Sequence, residues 1–152
     1  MSKSKLAQAA KNGFAMYGSL AKELMAIHGE KIVYEAVEAM GESSGPVYAE
    51  WTKLGAKKYA EQLLANQRAG GWGAEVKVDG GKVTLINNTC PCYSGMREAG
   101  LSHEQAKNMC YSWWRRFPES ARKVNSSIKN FHIEKYRSNE SDYCLETFEL
   151  EK

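Results

Sequence analysis

Apolar positions in the first half of the chain recur at helical spacing. Leu6, Ala10, Phe14, Tyr17, Leu20, Leu24 and His28 fall three or four apart and predict one face of an amphipathic helix, with Gly29 as its stop. Ile32, Val33, Ala36, Val37 and Met40 make a second stripe that closes at Gly41. Ser44-Gly45-Pro46 reads as a break that opens a third helix, because proline suits a first helical turn. Val47, Trp51, Leu54, Tyr59 and Leu63 form its apolar side, and Gly70-Gly71 ends it.

The period then changes. Ala74, Val76 and Val78 alternate with Glu75 and Lys77, the pattern of a half-buried strand. Asp79-Gly80-Gly81 predicts a hairpin turn, and Val83 and Leu85 continue the return strand to about Asn87. Cys90-Pro91-Cys92 follows as a turn. Ser102-His103-Glu104-Gln105 has the form of a capping box. The helix it opens carries Ala106, Met109, Cys110, Trp113 and Phe117 on one side and breaks or kinks at Pro118. Segments 131–136 and 143–150 read as a second hairpin across a polar loop. Two hairpins with a helix between them predict an α+β fold: a four-stranded antiparallel sheet covered by helices on one face.

The length of 152 residues fits one domain, 1–152, with a helical half at 1–70 and a hairpin-helix-hairpin half at 71–152. That is enough chain to bury a core without disulfides. The net charge of +3, from 21 basic and 18 acidic residues, is small and dispersed, which argues against a nucleic-acid partner. No apolar run approaches the ~18 residues of a membrane span, and the N-terminus has no signal-peptide core. A cytoplasmic, reducing setting is the expectation, with the four cysteines free or metal-bound.

Candidate chemistry centres on those cysteines. Cys90 sits in a turn whose following amides favour an anion or a thiolate. Its ordinary alternative is a small apolar residue closing a loop. Cys110 lies on an apolar helical stripe, where a buried thiol also packs as a small hydrophobe. Alternation puts Cys144, Glu146, Phe148 and Leu150 on one strand face, and burying the two apolar residues also buries Glu146; the other frame buries Tyr143, Leu145 and Thr147 and leaves Glu146 exposed. A buried carboxyl has a raised pKa and is a candidate general acid/base. His103, in the first turn of the capped helix, is a candidate base for Cys90 or simply a solvent-facing residue. Cys90, Cys110 and Cys144 together also make a candidate metal set for zinc, iron or copper, with an open fourth position. Trp113-Trp114 beside Arg115-Arg116 suggests either core and rim or a site for a planar or anionic ligand. A small-molecule substrate is the expected partner, and the Tyr/Trp-rich first half is a candidate homodimer face.

Four features in order carry a family resemblance. They are Gly29-Glu30-Lys31 leading into Ile32-Val33-Tyr34-Glu35-Ala36-Val37, the Cys90-Pro91 turn after a hairpin, Cys110, and a last strand with Asp142-Tyr143-Cys144. Together they resemble the L-2-amino-thiazoline-4-carboxylic acid hydrolase family over residues 20–150. The arrangement is also similar to four-vinyl-reductase-type ligand-binding domains, whose fold is an antiparallel sheet under helices. The resemblance implies a hydrolase of a non-peptide C–N bond, opening a thiazoline-like ring, with Cys90, Cys110 and Cys144 at the matching positions. A metal-dependent enzyme of other chemistry and a non-catalytic ligand-binding module are the alternatives.

Overall fold

The computed structural model describes residues 3–151; residues 1, 2 and 152, the ends of the expected domain, lie outside the described residues. In chain order the elements are α1 (Lys3–His28), α2 (Glu30–Thr52), α3 (Ala56–Ala69), β1 (Gly73–Asp79), β2 (Lys82–Thr89), α4 (Pro91–Glu98), α5 (His103–Arg122), β3 (Ile128–Lys135) and β4 (Cys144–Leu150). The strands form one antiparallel sheet in the order β1-β2-β4-β3. The two hairpins therefore join along β2 and β4, which are central. This is the expected α+β architecture, with two helices rather than one between the hairpins. The extra helix is α4, which begins at the Cys90-Pro91 turn.

The first hairpin closes as its residues require. Asp79 pairs with Lys82, so Gly80 and Gly81 alone make the turn, and Gly80 takes a φ of 57°. Along β2 and β4, residues Val83, Leu85 and Asn87 face the same side as Phe148, Glu146 and Cys144, their respective partners across the ladder. That side is covered by α3 and α5 and holds Tyr59, Leu63, Phe117 and Phe131 in one apolar cluster. A second cluster joins α1, α2, α4 and α5 through Ala21, Val33, Val37, Met96 and Met109.

Two expected breaks are absent. α2 runs unbroken through Pro46, and α5 runs through Pro118. A proline inside a helix removes one hydrogen bond and crowds the preceding turn, at about 3 kcal/mol. Here both prolines lie on helices packed against each other over much of their length. Gly41 and Gly45 do not stop α2; they allow this approach. A Cβ at Gly41 would run into the Trp113 carbonyl, and one at Gly45 into the Ser120 hydroxyl.

The inward face of α1 also differs from the expected stripe. Leu20 is 60% exposed and Met16 76%, whereas Ala21 is 3% exposed and Gly18 is buried. A Cβ on Gly18 would stand 2.9 Å from Ala99 Cβ and 3.1 Å from Met96 Cα. Close packing on α4 selects small residues at Gly18 and Ala21, so Met16, Leu20 and Ile27 point outward while Phe14 and Tyr17 line the interior. Among the described residues, no helix is long and apolar enough to cross a membrane.

Candidate functional site

A cavity of about 360 Å³ lies between the two apolar clusters, and all four cysteines and Glu146 line it. β2 and β4 build its floor. Asn87 pairs with Cys144, and Leu85 with Glu146, so the inward alternation of the two central strands delivers Asn87, Cys144 and Glu146 side by side. The frame that buries Phe148 and Leu150 is the one adopted, and it buries Glu146 with them.

Cys90 follows the end of β2 and is the N-cap of α4. Its backbone is extended (φ −131°, ψ 100°), Pro91 occupies the first helical turn, and its sulfur accepts the Tyr93 N–H at 3.4 Å. The side chain thus takes the place that a serine or aspartate oxygen usually fills. The Cys90 thiol is pulled down to about 6, first by the hydrogen bond from Cys92. Burial opposes this, while the Tyr93 amide, the positive charge of Arg137 and the Trp72 side chain assist. Cys92 is driven the other way by the same hydrogen bond and by burial, so it is the proton-bearing member of the pair. Burial also raises Cys110 and Cys144.

Glu146 is pushed up to about 8, chiefly by burial and then by the charge of Cys90, against a lowering hydrogen bond from Asn87. That bond runs from Asn87 Nδ2 to Glu146 Oε1 at 3.4 Å. Among the described residues, no basic side chain lines the cavity to hold the carboxylate charged. A carboxyl in such surroundings carries its proton at neutral pH and is able to donate it.

Arg137 is the residue that sequence reasoning missed. It sits in the β3–β4 loop, 1% exposed, and gives its donors to backbone carbonyls and a sulfur. Its Nη2 donates to the Asn87 carbonyl at 2.8 Å, its Nη1 to the Glu140 carbonyl at 3.3 Å, and its Nε to Cys144 Sγ at 3.5 Å. Asp142 holds the loop that carries it, accepting from the Ser138 amide and hydroxyl at 2.9 Å each and from Lys135 at 2.5 Å. A lone arginine in a polar loop has no periodicity to betray its burial. Asn87 had a usable signal: alternation continued from Val83 and Leu85 puts it on the inner face.

His103 does not line the cavity. It stands behind the wall, with Nδ1 3.0 Å from the hydroxyl of Tyr93, and Tyr93 separates it from the interior. The capping box that fixes it is formed as expected, with Ser102 Oγ accepting from the Gln105 amide at 3.0 Å. The Trp-Trp-Arg-Arg run divides. Trp113 and Trp114 line the cavity, but Arg115 pairs with Glu38 and Arg116 with Glu38 and Glu42, on the α2 side.

Among the described residues, no group of three or more His, Cys, Asp or Glu side chains is arranged to hold a metal ion. The candidate set of Cys90, Cys110 and Cys144 is thus not assembled as a metal-holding group in this structure. The reason is visible in their partners: Cys90 is engaged by Cys92 and Tyr93, and Cys144 is in contact with a guanidinium, which opposes a second cation. No family model, no curated protein and no solved structure matches this chain. The family resemblance rests on the residues quoted for it alone.

Proposed function

We propose that the cavity is a cysteine-centred active site that hydrolyses a non-peptide C–N bond in a small heterocycle. One observation carries this: the thiol held at the head of α4, and favoured there as thiolate, opens on the same cavity as the carboxyl of Glu146. A nucleophile below its usual pKa beside an acid above its usual pKa is the pairing that lets one site attack and protonate at neutral pH.

The steps follow from those two groups. The Cys90 thiolate forms a C–S bond at a ring carbon flanked by heteroatoms. The C=N electron pair moves to nitrogen, which takes the Glu146 proton. The second nitrogen on that carbon then forms a C=N bond as the ring C–N bond breaks; its surplus proton passes through the Glu146 carboxylate to the departing nitrogen, which leaves as an amine and opens the ring. The carboxylate takes a proton from water as hydroxide adds to the sulfur-bound carbon and hands it to the imine nitrogen; it then takes the C–OH proton as the C=O bond forms and Cys90 leaves as thiolate, which restores the starting protonation. Arg137 touches no substrate. It acts as a positioning residue whose charge favours the Cys90 thiolate. Tyr93, bonded to His103, offers a path for protons toward the surface.

The test is turnover of a panel of thiazoline- and imidazoline-type heterocycles, with intact-protein mass spectrometry for an adduct on Cys90. Cys90→Ser is expected to abolish both turnover and adduct while keeping the native circular dichroism. Full turnover in that variant would remove Cys90 from the mechanism.

A further inference from the structure

The cavity wall carries buried polar atoms that lack partners. Asn87 Oδ1, Gln67 Oε1 and the Tyr136 hydroxyl are buried with no partner, and all three residues line the cavity. Asn87 is 3% exposed, and its amide is oriented by the bond its Nδ2 gives to Glu146. Two of the three open atoms are therefore acceptors without donors, and Glu146 adds carboxylate oxygens when ionised. Buried acceptors left unpaired are costly, and a ligand bearing N–H groups removes that cost.

Among the described residues, no lysine, arginine or histidine lines the cavity. Arg137 lies outside it and turns its donors to the Asn87, Asn88 and Glu140 carbonyls and the Cys144 sulfur. The remaining wall offers the aromatic rings of Trp72, Trp113, Trp114 and Tyr48, surfaces that attract planar and cationic groups. We infer that this cavity takes a planar nitrogen base, an amidine or amino-heteroaromatic that is neutral or positively charged, and rejects carboxylates.

Charge accounting points the same way. The Cys90 thiolate and Arg137 cancel. A monocation beside ionised Glu146 leaves the buried cluster neutral, whereas a carboxylate beside neutral Glu146 leaves one unpaired negative charge away from water. The inference rests on the reading of this cavity as the substrate site, but not on turnover. It departs from the family resemblance, whose namesake substrate carries a carboxylate.

Binding of a cation draws the Glu146 proton off. Facing that carboxyl are Cys144 on its own strand, Cys90 and Cys92 at the head of α4, Cys110 on α5, Tyr48 on α2, Tyr59 on α3 and Tyr136 beyond β3. The phenols and the other three thiols are all held above their ordinary values, so only Cys90 and Glu146 change charge near neutral pH.

The test is calorimetric titration of the full chain, wild type and Glu146→Gln, with benzamidine, benzamide and benzoate, three probes of one shape and different charge. Benzamidine is expected to bind tightest and benzoate at least about tenfold more weakly. Benzamidine affinity should rise from pH 6 to pH 8, with close to one proton released per ligand at pH 7, and Glu146→Gln should remove that release. Benzoate binding as tightly as benzamidine, or no binding by any probe at millimolar concentration, overturns the inference. The ranking is read without catalysis: if it holds while no heterocycle of the panel is turned over, the binding inference stands and the hydrolase reading falls.

Discussion

Replacing Glu146 with glutamine should make the protein more stable at neutral pH, and by an amount that grows with pH. The carboxyl sits near 8 in the folded chain against 4.5 when unfolded. Between those values the folded state holds a proton that the unfolded state has released. A raised acid therefore contributes its full stability below the unfolded value and loses it as pH rises toward the folded one, the reverse of a salt-bridged carboxylate. The loss runs at about 1.4 kcal/mol per pH unit, or about 3 kcal/mol between pH 5 and pH 7.5. Glutamine keeps the shape and an oxygen for Asn87 Nδ2 but has no proton to lose. Urea denaturation at pH 5, 6, 7 and 7.5, followed by tryptophan fluorescence, measures the gap between wild type and Glu146→Gln. The two should be close at pH 5 and diverge steadily above it, with the variant the more stable. Parallel curves would show that Glu146 ionises in the folded chain as it does in water, and the acid role assigned to it would go with them.

Four other outcomes follow from the same contacts. Alkylation of Cys90 by iodoacetamide, mapped by peptide mass spectrometry, should show a rate midpoint near pH 6, and Cys92→Ala should move it upward, because the Cys92 hydrogen bond is the largest cause of the low value; an unmoved midpoint would refute that cause. Arg137→Met should raise the same midpoint and cost about 3 kcal/mol in chemical denaturation, since it strands buried carbonyls and removes the cation. Gly45→Leu should prevent folding or cost more than about 3 kcal/mol, because its side chain meets α5; a native-like melting temperature would contradict the α2–α5 approach. On α1, Leu20→Lys should change stability by less than about 0.5 kcal/mol, while Ala21→Leu should cost about 1–3 kcal/mol; the opposite ranking would restore the helix face predicted from hydrophobicity.

Strand alternation leaves two frames, because slipping it by a residue exchanges the faces. Burying Val83, Leu85, Phe148 and Leu150 selects the one adopted, and Glu146 goes inward with them. The helices were less legible because their contact faces are made of absence. Gly18, Gly41 and Gly45 look like weak points or stops in one dimension and are the points of closest approach in three. Pro46 and Pro118 misled for a related reason: local propensity marks a break, and the packing of α2 on α5 overrides it. The Cys90-Pro91 pair shows the converse error. Read as a turn, it is a helix start, the position where proline is most at home.

The difference between a turn and a helix start changes the chemistry as well as the label. In a turn, Cys90 would depend on whichever amides happened to face it. As the N-cap of α4 it has a fixed donor in the Tyr93 N–H, the positive end of a helix, and Pro91 to hold the first turn. The Cys92 thiol, two residues on, reaches back to the same sulfur from within that first turn, so the Cys-Pro-Cys spacing, too short for a zinc knuckle, suits one sulfur hydrogen-bonding the other. β2 and β4, paired through Asn87 and Cys144, then bring Glu146 to the far side of the same space. Polar groups that would each be a liability in an apolar core are placed so that a thiol loses its proton readily and a carboxyl keeps its own. A core that needed only volume at these positions would be more stable with valine and leucine in place of Asn87 and Glu146.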